Sequence, residues 1–482
     1  MRLGNTETPK PTAMSALKTL VGSAITSAIT LWALGRSQWG SWLQPHPEPQ
    51  LQRPWYFAQI GILLLPLSPA LGVVTILTAV ILTSVRLRQK NLRRDRPHSP
   101  HLLPWIFAAI SLAMILGIPG AVDKGEAALG LANFLPYFFV FWVFSRLMTA
   151  IAQLRQLAWL LVVGSGPVMA IGIGQWLGWW SGPVNLLGIV DWDLHPGGNP
   201  VGRLSSVFEY ANVTASYAVV VWTIALGLAV DLWQKKLWQK RWRLAVSEHP
   251  KFAIATLGIT LPLIAMGLLL TDSRNAWGLG MLMALVWSVV LGWHWFWRLV
   301  MGAIAIILGA AFAPDPLANP LRTVVPRFIW ARLNDSLYPD RPIATLRATQ
   351  WQFCWDLSWQ RPALGWGLRN FSPLYDGAMG LWLGHPHNLL LMLAAETGWP
   401  ATVALFGTVG WILARGIMVW HQLPLGDRTI ALSIGLGFTS LTLFHIFDIT
   451  LFDVRIGLLG WLLLASIWGM VGRRSGTSHL VP

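Results

Sequence analysis

Long apolar segments alternate with short polar segments along almost the whole chain. A helix needs roughly 20 predominantly apolar residues to cross about 30 Å of hydrocarbon, and most of these segments are about that long. The pattern predicts an all-α polytopic membrane protein with about 12 transmembrane helices, in a single integral membrane domain over residues 1–482. The predicted spans lie at about 15–35, 55–86, 101–118, 127–146, 157–177, 210–231, 252–271, 276–294, 296–313, 401–420, 429–447 and 455–472.

The apolar run at 55–86 is too long for one upright helix, and the sequence Leu-Pro-Leu-Ser-Pro at 65–69 interrupts its middle. Proline lacks the backbone N–H and clashes with the preceding turn, so it kinks or ends a helix. The run is therefore either a kinked helix or a tight helical hairpin. If it is a hairpin, we expect the segment at 15–35 to lie at the membrane interface.

Three clusters of Lys and Arg indicate the orientation of the chain in the membrane. They lie at 86–96, at 235–251 and at 473–474, and all three fall on one side under the predicted spans. Short cytoplasmic loops carry an excess of these residues, so this side is expected to be cytoplasmic. The long polar segments 178–209 and 314–385 then face outward.

The outward segment 314–385 contains seven arginines and no lysine. A planar guanidinium binds phosphate through two hydrogen bonds, so this usage favours phosphate recognition, while compositional drift in an arginine-preferring genome is the alternative. Within this segment Arg347, Trp351 and Trp355 recur every four residues. This spacing predicts an amphipathic helix that lies among lipid headgroups.

Composition excludes a soluble protein and argues against a nucleic-acid partner. Of the residues, 54% are hydrophobic and 11% are charged, whereas soluble chains carry roughly 25% charged residues. The formal charge of +15 lies mostly in loops, where it sets membrane topology. Cys354 is the single cysteine, so no disulfide can form within the chain.

The sequence Gly-His-Pro-His-Asn at 384–388 stands where the long polar segment gives way to an apolar run. Pro386 suits the first turn of a helix, which would place His387 and Asn388 beside free amides and the positive end of the helix dipole. A helix over 386–397 is about 18 Å long, too short to span a bilayer. We therefore expect a short re-entrant or broken helix, with an ordinary loop-to-helix junction as the alternative.

Three further stretches are expected on the same outer face. They are 203–212, which leads into a span, 271–277, which connects two spans, and 347–371, which precedes the histidines. An arginine between two membrane helices, such as Arg274, is costly unless it faces a cavity or a partner, and Asp272 could be a local partner.

Four motifs in these stretches resemble the motif set of the O-antigen ligase-like membrane proteins. They are Arg-Leu-Ser…Phe…Asn at 203–212, Ser-Arg-Xaa-Ala-Trp at 273–277, Pro-Xaa-Leu-Gly-Xaa-Gly…Phe at 362–371, and His-Xaa-His-Asn-Leu…Ala-Glu-Xaa-Gly at 385–398. The family includes O-antigen ligases, some O-antigen polymerases and protein O-oligosaccharyltransferases. The Trp-rich N-terminal half is also similar to a cyanobacterial branch once proposed to transport inorganic carbon.

The resemblance implies a metal-independent, inverting glycosyltransferase of the membrane-embedded type C architecture, in a bacterial plasma (inner) membrane with its active site facing the periplasm. Its donor would be a glycan on undecaprenyl pyrophosphate, and its acceptor a hydroxyl of a lipid-linked saccharide. By the same resemblance, Arg203 and Arg274 hold the pyrophosphate and His387 activates the acceptor. We expect support from five neighbours in these stretches: Ser273, Asn212, Arg347, His385 and Asn388. The chain departs from the family at 209–212, where a Pro more often precedes the Asn.

The chemistry of these residue types fits such a reaction. Fixed guanidiniums stabilise the charge that develops on a departing pyrophosphate, and a neutral histidine can accept the proton of an attacking hydroxyl. A His-Xaa-His pair can also indicate a metal, but His385 and His387 straddle a proline, lack a clear carboxylate set nearby and do not make a site alone. We therefore expect no metal and no cofactor.

Three other functions remain open at this stage. A polymerase that joins repeat units on the lipid carrier would use the same chemistry. A small-solute transporter, for instance of inorganic carbon, would use ionisable residues near a span, for which His445, Asp448 and Asp453 are candidates. A non-catalytic family member is the third alternative, and intact Arg203 and His387 argue against it.

Overall fold

The computed structural model describes residues 45–88, 102–186, 190–242, 250–334, 336, 340 and 342–474. Within these residues the chain is mostly helical, which confirms the predicted all-α polytopic membrane class, and two short strands are the exception. The predicted span at 15–35 lies outside the described residues.

The helices and strands follow one another without large soluble insertions. In chain order they are α1 (Gln52–Leu64), α2 (Pro69–Arg88), α3 (Leu102–Gly117), α4 (Lys124–Gly130), α5 (Leu135–Leu147), α6 (Ile151–Trp176), β1 (Gly182–Leu186), β2 (Val190–Leu194), α7 (Ala211–Trp242), α8 (Pro250–Leu270), α9 (Arg274–Val290), α10 (His294–Phe312), α11 (Asp315–Val324), α12 (Arg327–Leu333), α13 (Arg347–Gln360), α14 (Phe371–Met379), α15 (Leu389–Gln422), α16 (Leu425–Phe444) and α17 (Val454–Arg474).

The ambiguous run at 55–86 forms a helical hairpin. The turn is closed by backbone hydrogen bonds from Leu67 and Ser68 to the carbonyl of Leu64. The two helices then pack antiparallel, since Gly61 of α1 faces Ile76 of α2. The paired prolines therefore separate two helices rather than kinking one.

Nine helical segments among the described residues are long and apolar enough to cross a membrane. Three further helices that correspond to predicted spans are shorter or less apolar: α1 precedes the first segment, and α9 and α16 lie between later ones. The chain is thus a multi-pass membrane protein, while the count of about twelve spans stays a prediction. The nine segments are Pro69–Arg88, Leu102–Gly120, Lys124–Leu147, Ile151–Trp176, Ala211–Gln234, Lys251–Leu270, His294–Phe312, Leu389–Gln422 and Val454–Gly472.

The connections that carry the motifs meet at one end of the helices. A hydrogen bond from Leu204 N to Leu270 O (2.8 Å) joins the segment before α7 to the end of α8. Another, from Leu389 N to His445 O (2.9 Å), joins the start of α15 to the end of α16. The basic residues at the ends of α2 and α17 lie at the opposite end of the helices from these connections. This agrees with the expectation that the basic clusters and the motifs are on different sides. Sidedness relative to a membrane stays a prediction.

Both long polar segments contain regular structure. In 178–209, β1 and β2 form an antiparallel hairpin in which Val184 pairs with Trp192, and the indole of Trp192 donates to Leu67 O at 2.6 Å. In 314–385 there are four helices, α11 to α14. The predicted helix at 343–359 is α13, which buries Cys354 and leaves Trp355 and Trp359 exposed.

Helix α15 is broken near its start by Gly398, whose φ of 77° and ψ of 164° are not helical. The break frees carbonyls that the preceding segment uses: Trp366 N donates to Ala395 O and Gly367 N to Glu396 O, both at 2.9 Å. A Cβ on Gly398 would lie 2.5 Å from the carbonyl carbon of Ala363, so only glycine permits this approach. The Pro-Xaa-Leu-Gly-Xaa-Gly motif therefore docks the end of the polar segment onto the break.

Candidate functional site

His387 precedes helix α15 instead of lying in its first turn, so the predicted helix start at Pro386 is wrong. Asn388 is the N-cap, with an extended backbone, and its Oδ1 accepts a hydrogen bond from Leu391 N at 3.0 Å. An N-cap side chain that accepts a hydrogen bond from a free amide stabilises a helix start, whereas a proline is only compatible with the first turn. His387 has a φ of 57°, in the left-handed region, just outside the helix. The predicted support from Asn388 is thus a cap that fixes the turn carrying His387.

The ring of His387 is paired with the carboxylate of Asp448. Nδ1 of His387 lies 3.0 Å from Oδ1 of Asp448, whose side chain is 4% exposed. Because an ionised carboxylate only accepts hydrogen bonds, Nδ1 carries the proton and Nε2 keeps its lone pair. The arrangement can therefore take up a proton at Nε2.

Asp448 is held on both of its oxygens. Ile449 N donates to Oδ1 at 2.9 Å, and Nδ2 of Asn212 donates to Oδ2. Burial by itself would raise the pKa of Asp448, but the hydrogen bond from His387, the charges of His385 and His387, and the Ile449 amide together lower it below its usual range. Asp448 is thus a fixed anion at the centre of the site.

His385 lies beside the same carboxylate. Its Nε2 is 3.7 Å from Oδ1 of Asp448, and its ring centroid is 4.6 Å from that of His387. Burial lowers the pKa of His385 to about 4, against the opposing effect of Asp448, so the ring is neutral near pH 7. Asp448 therefore places a carboxylate beside the two histidines, where the sequence had indicated none.

Arg203 is connected to His387 through two other side chains. Its Nε donates to Thr271 O at 2.8 Å, and its Nη2 donates to Oδ1 of Asn212. Asn212 in turn donates to Asp448, so four residues from three parts of the chain form one hydrogen-bonded series. The predicted pyrophosphate residue and the predicted base thus share one site.

Arg274 is the first residue of α9, on the connection against which Arg203 packs. Ser273 caps this helix, with its Oγ accepting from Ala276 N at 3.4 Å, so its predicted support is structural. Asn275 donates to Phe444 O at 2.8 Å and ties the connection to the end of α16. Arg274 is half-buried at this junction.

Arg347, the first residue of α13, acts on the site from the polar segment. Its charge opposes protonation of His385, behind the larger effect of burial. It also acts on Tyr210, whose pKa is raised by burial and by Asp448 against the effects of Arg203 and Arg347. One turn along α13, the indole of Trp351 donates to Pro386 O at 3.0 Å. The helix is thereby fixed beside the histidine turn.

Of the three residues proposed for transport, Asp448 lies in this site and His445 lies next to it. Asp453 pairs with Arg455, whose guanidinium also donates to Val207 O at 2.7 Å and holds the segment before α7. His445 is buried, with Nε2 3.2 Å from the hydroxyl of Thr450. The sequence indicated Asp448 only as a transport candidate near a span, and its contact with His387 is formed by tertiary packing.

An apolar groove begins next to the site and follows the helices away from it. Leu389 and His445 lie at its near end, and Val409 and Leu464 at the far end. Leu464 is ten residues into α17, about 15 Å along the helix axis from its start. Its volume is about 90 Å³, so the groove is narrow and has room for only a short part of a lipid chain. Another cavity, lined by residues such as Met148 and Leu423, contains none of the predicted site residues.

Residues 259–406 match the family model described as O-antigen ligase. This segment holds Arg274, Arg347 and His387, while Arg203 and Asp448 lie outside it. The match confirms the predicted resemblance to the O-antigen ligase-like family, and the cyanobacterial branch stays a prediction. No curated protein matches the chain.

Proposed function

We propose that this O-antigen ligase-like membrane protein is an inverting glycosyltransferase that needs no metal. It would move a glycan from undecaprenyl pyrophosphate to a hydroxyl of a lipid-linked saccharide on the outer face of a bacterial plasma membrane. The observation that carries the proposal is the 3.0 Å contact between His387 Nδ1 and Asp448 Oδ1, in series with Asn212 and Arg203. It pairs a base with a phosphate-binding cation in one site.

In this proposal His387 is the general base. Asp448 accepts a hydrogen bond from Nδ1–H and so fixes the tautomer in which Nε2 has a free lone pair. The acceptor hydroxyl gives its proton to Nε2 as its oxygen attacks the anomeric carbon of the donor. The imidazolium that results is stabilised by the buried carboxylate.

The arginines act on the leaving group. As the new bond forms, the bond from the anomeric carbon to the pyrophosphate oxygen breaks, and its electron pair stays on the pyrophosphate. Arg203 is already oriented by Thr271 O and Asn212, so it can stabilise this charge without reorganising. Arg274 would be the second cation, and a planar fork suits phosphate oxygens better than an ammonium.

The apolar groove supports a lipid-linked substrate. Its near end is at Leu389, two residues after His387, and its walls are the apolar faces of α15, α16 and α17. A pyrophosphate held by the arginines would place the start of its prenyl chain next to this groove, where apolar contacts would stabilise it. A polymerase would use the same donor site and differ only in the acceptor, a second carrier-linked repeat unit.

The proposal is tested with purified protein in lipid nanodiscs, supplied with a glycan on undecaprenyl pyrophosphate and a lipid-linked saccharide acceptor. We expect His387→Ala to abolish transfer and to leave donor binding within about threefold, since the base touches the acceptor. His421→Ala, an exposed histidine at the end of α15, is the matched control and should transfer normally. Transfer that survives in His387→Ala would overturn the proposal. Products made from donor alone would identify a polymerase.

A further inference from the structure

Three potential metal ligands converge at the candidate site. One ring nitrogen from each of His385 and His387 and a carboxylate oxygen of Asp448 all lie within 4.8 Å of one another. The two nitrogens are 3.0 and 3.7 Å from the same oxygen, Oδ1. The three groups come from two connections 61 residues apart, so the fold brings them together.

These separations are close to those of a zinc centre. Zinc bonds of about 2.0–2.2 Å in tetrahedral geometry place neighbouring ligand atoms about 3.3 Å apart. The two histidine side chains are 21% and 26% exposed, and the three ligand atoms, within 4.8 Å of one another, would have to approach by about an ångström to bind the metal. Two imidazoles with one carboxylate suit Zn²⁺, whereas Mg²⁺ and Ca²⁺ prefer an all-oxygen set.

We propose that His385, His387 and Asp448 bind a Zn²⁺-class cation, with the fourth coordination position open to water. The carboxylate is already fixed by Asn212 and Ile449, as ligating carboxylates are in metal sites. Arg203, in series with Asp448 through Asn212, and Arg347, whose charge acts on His385, oppose the bound charge and weaken the site. The cation is thus a reversible ligand rather than a resident part of the fold.

Bound zinc also prevents His387 from acting as a base. This consequence rests on the proposed function, in which His387 is the general base. A neutral imidazole that ligates through Nδ1 carries its proton on Nε2. The lone pair that would accept the acceptor proton is then lost, and the hydrogen bond to Asp448 is replaced by the metal. His385 must likewise move its proton to Nδ1 and give up the 3.3 Å contact from His387 N. Zinc therefore inhibits transfer.

The binding test uses the full-length protein in nanodiscs with Zn²⁺ alone, followed by calorimetry, and with Co²⁺, followed by its visible absorption. Wild type should bind one zinc per chain and show tetrahedral cobalt bands. His385→Gln, His387→Gln and Asp448→Asn should each weaken binding by more than about tenfold. His195→Gln is the matched control, because His195 also lies near a carboxylate, 3.6 Å from Asp193, but has no third ligand among the described residues.

Each outcome decides the proposal. Loss of binding in the three variants but not in His195→Gln supports the site, with thermal melting used to show that the variants are folded. Absence of binding in wild type, or equal binding in all variants, overturns it. Since these measurements contain no donor or acceptor, they stand whether or not transfer is detected. In the transfer assay, zinc should inhibit and EDTA should restore the rate, and zinc without effect would refute the inhibition alone.

Discussion

Nδ1 of His387 lies 3.0 Å from Oδ1 of Asp448, although 61 positions separate the two residues along the chain. His387 stands just before α15 and Asp448 between α16 and α17, so the pair forms where three helices meet. Asn212 extends the contact to Arg203. The pairing gives His387 a defined tautomer, with its proton on Nδ1.

Replacing Asp448 by Asn should reduce transfer by about 10²- to 10⁴-fold while donor binding changes little. The amide keeps the shape but removes the charge that stabilises the imidazolium, and its NH₂ favours the wrong tautomer. Initial rates across pH 5–9 measure the effect. Asp376→Asn, an exposed carboxylate on α14, is the control. A rate within twofold of wild type would rule out a positioning role for Asp448.

Arg203→Lys and Arg274→Lys should each weaken donor binding and turnover by about tenfold or more. Lysine keeps the charge but lacks the planar fork that at position 203 bonds Thr271 O and Asn212 in a fixed geometry. Binding of labelled donor to nanodiscs measures the loss. Arg369→Lys, whose exposed side chain pairs with Glu126, should bind donor normally. Normal affinity in both site variants would remove the arginines from the donor site.

Gly398→Ala should destabilise the protein by about 1–3 kcal/mol. Alanine is strained at a φ of 77°, and its Cβ would lie 2.5 Å from the Ala363 carbonyl. Gly407→Ala, on the same helix with open space around its Cα, is the control and should be neutral or slightly stabilising. Thermal unfolding of the two variants compares them directly. Equal melting temperatures would mean that the break tolerates a side chain.

Stability should fall as the pH drops from about 6.5 towards 4, in part because of His385. Its pKa is about 4 when folded, chiefly through burial, and about 6.5 when unfolded, so the unfolded chain binds more protons in this window. The contribution is at most about 3 kcal/mol. Asp448, His387 and Arg347 face the ring, and the lowered pKa of Asp448 adds a loss of the same sign at lower pH.

The matched variant for this pH dependence is His385→Gln, which cannot gain a proton. Its melting temperature should decline less than that of wild type between pH 7 and pH 5. An identical decline in both proteins would show that His385 does not titrate as a buried neutral group.

The orientation of the chain is tested with single cysteines in a Cys354→Ser background. Asp340→Cys should react with an impermeant thiol reagent in intact cells, and Gln89→Cys should be protected, because the basic cluster at 86–96 is expected in the cytoplasm. The opposite labelling pattern would invert the topology and place the site on the wrong side for the proposed donor.

The sequence alone determined where the helices lie. The length of an apolar segment is a local property of the sequence, so the predicted spans from 101–118 onward correspond to helices. The basic clusters are read from the polar segments between these spans. The residue types of the site were also visible, since Arg203, Arg274 and His387 stand in motifs with recognisable chemistry. The sequence did not determine the structure at 65–69 or at Pro386, because proline is compatible with a turn, a kink or a helix start.

Tertiary structure decided how these residues are combined. The cap by Asn388 moved the helix start past His387, and the docking of Gly365 and Gly367 on the break at Gly398 explained a motif without chemistry of its own. Asp448 became the partner of His387 because α16 and α17 end and begin beside α15, a contact that no local pattern encodes. Helix positions follow from short-range hydropathy, whereas the charge pairs of the site depend on how distant helices pack.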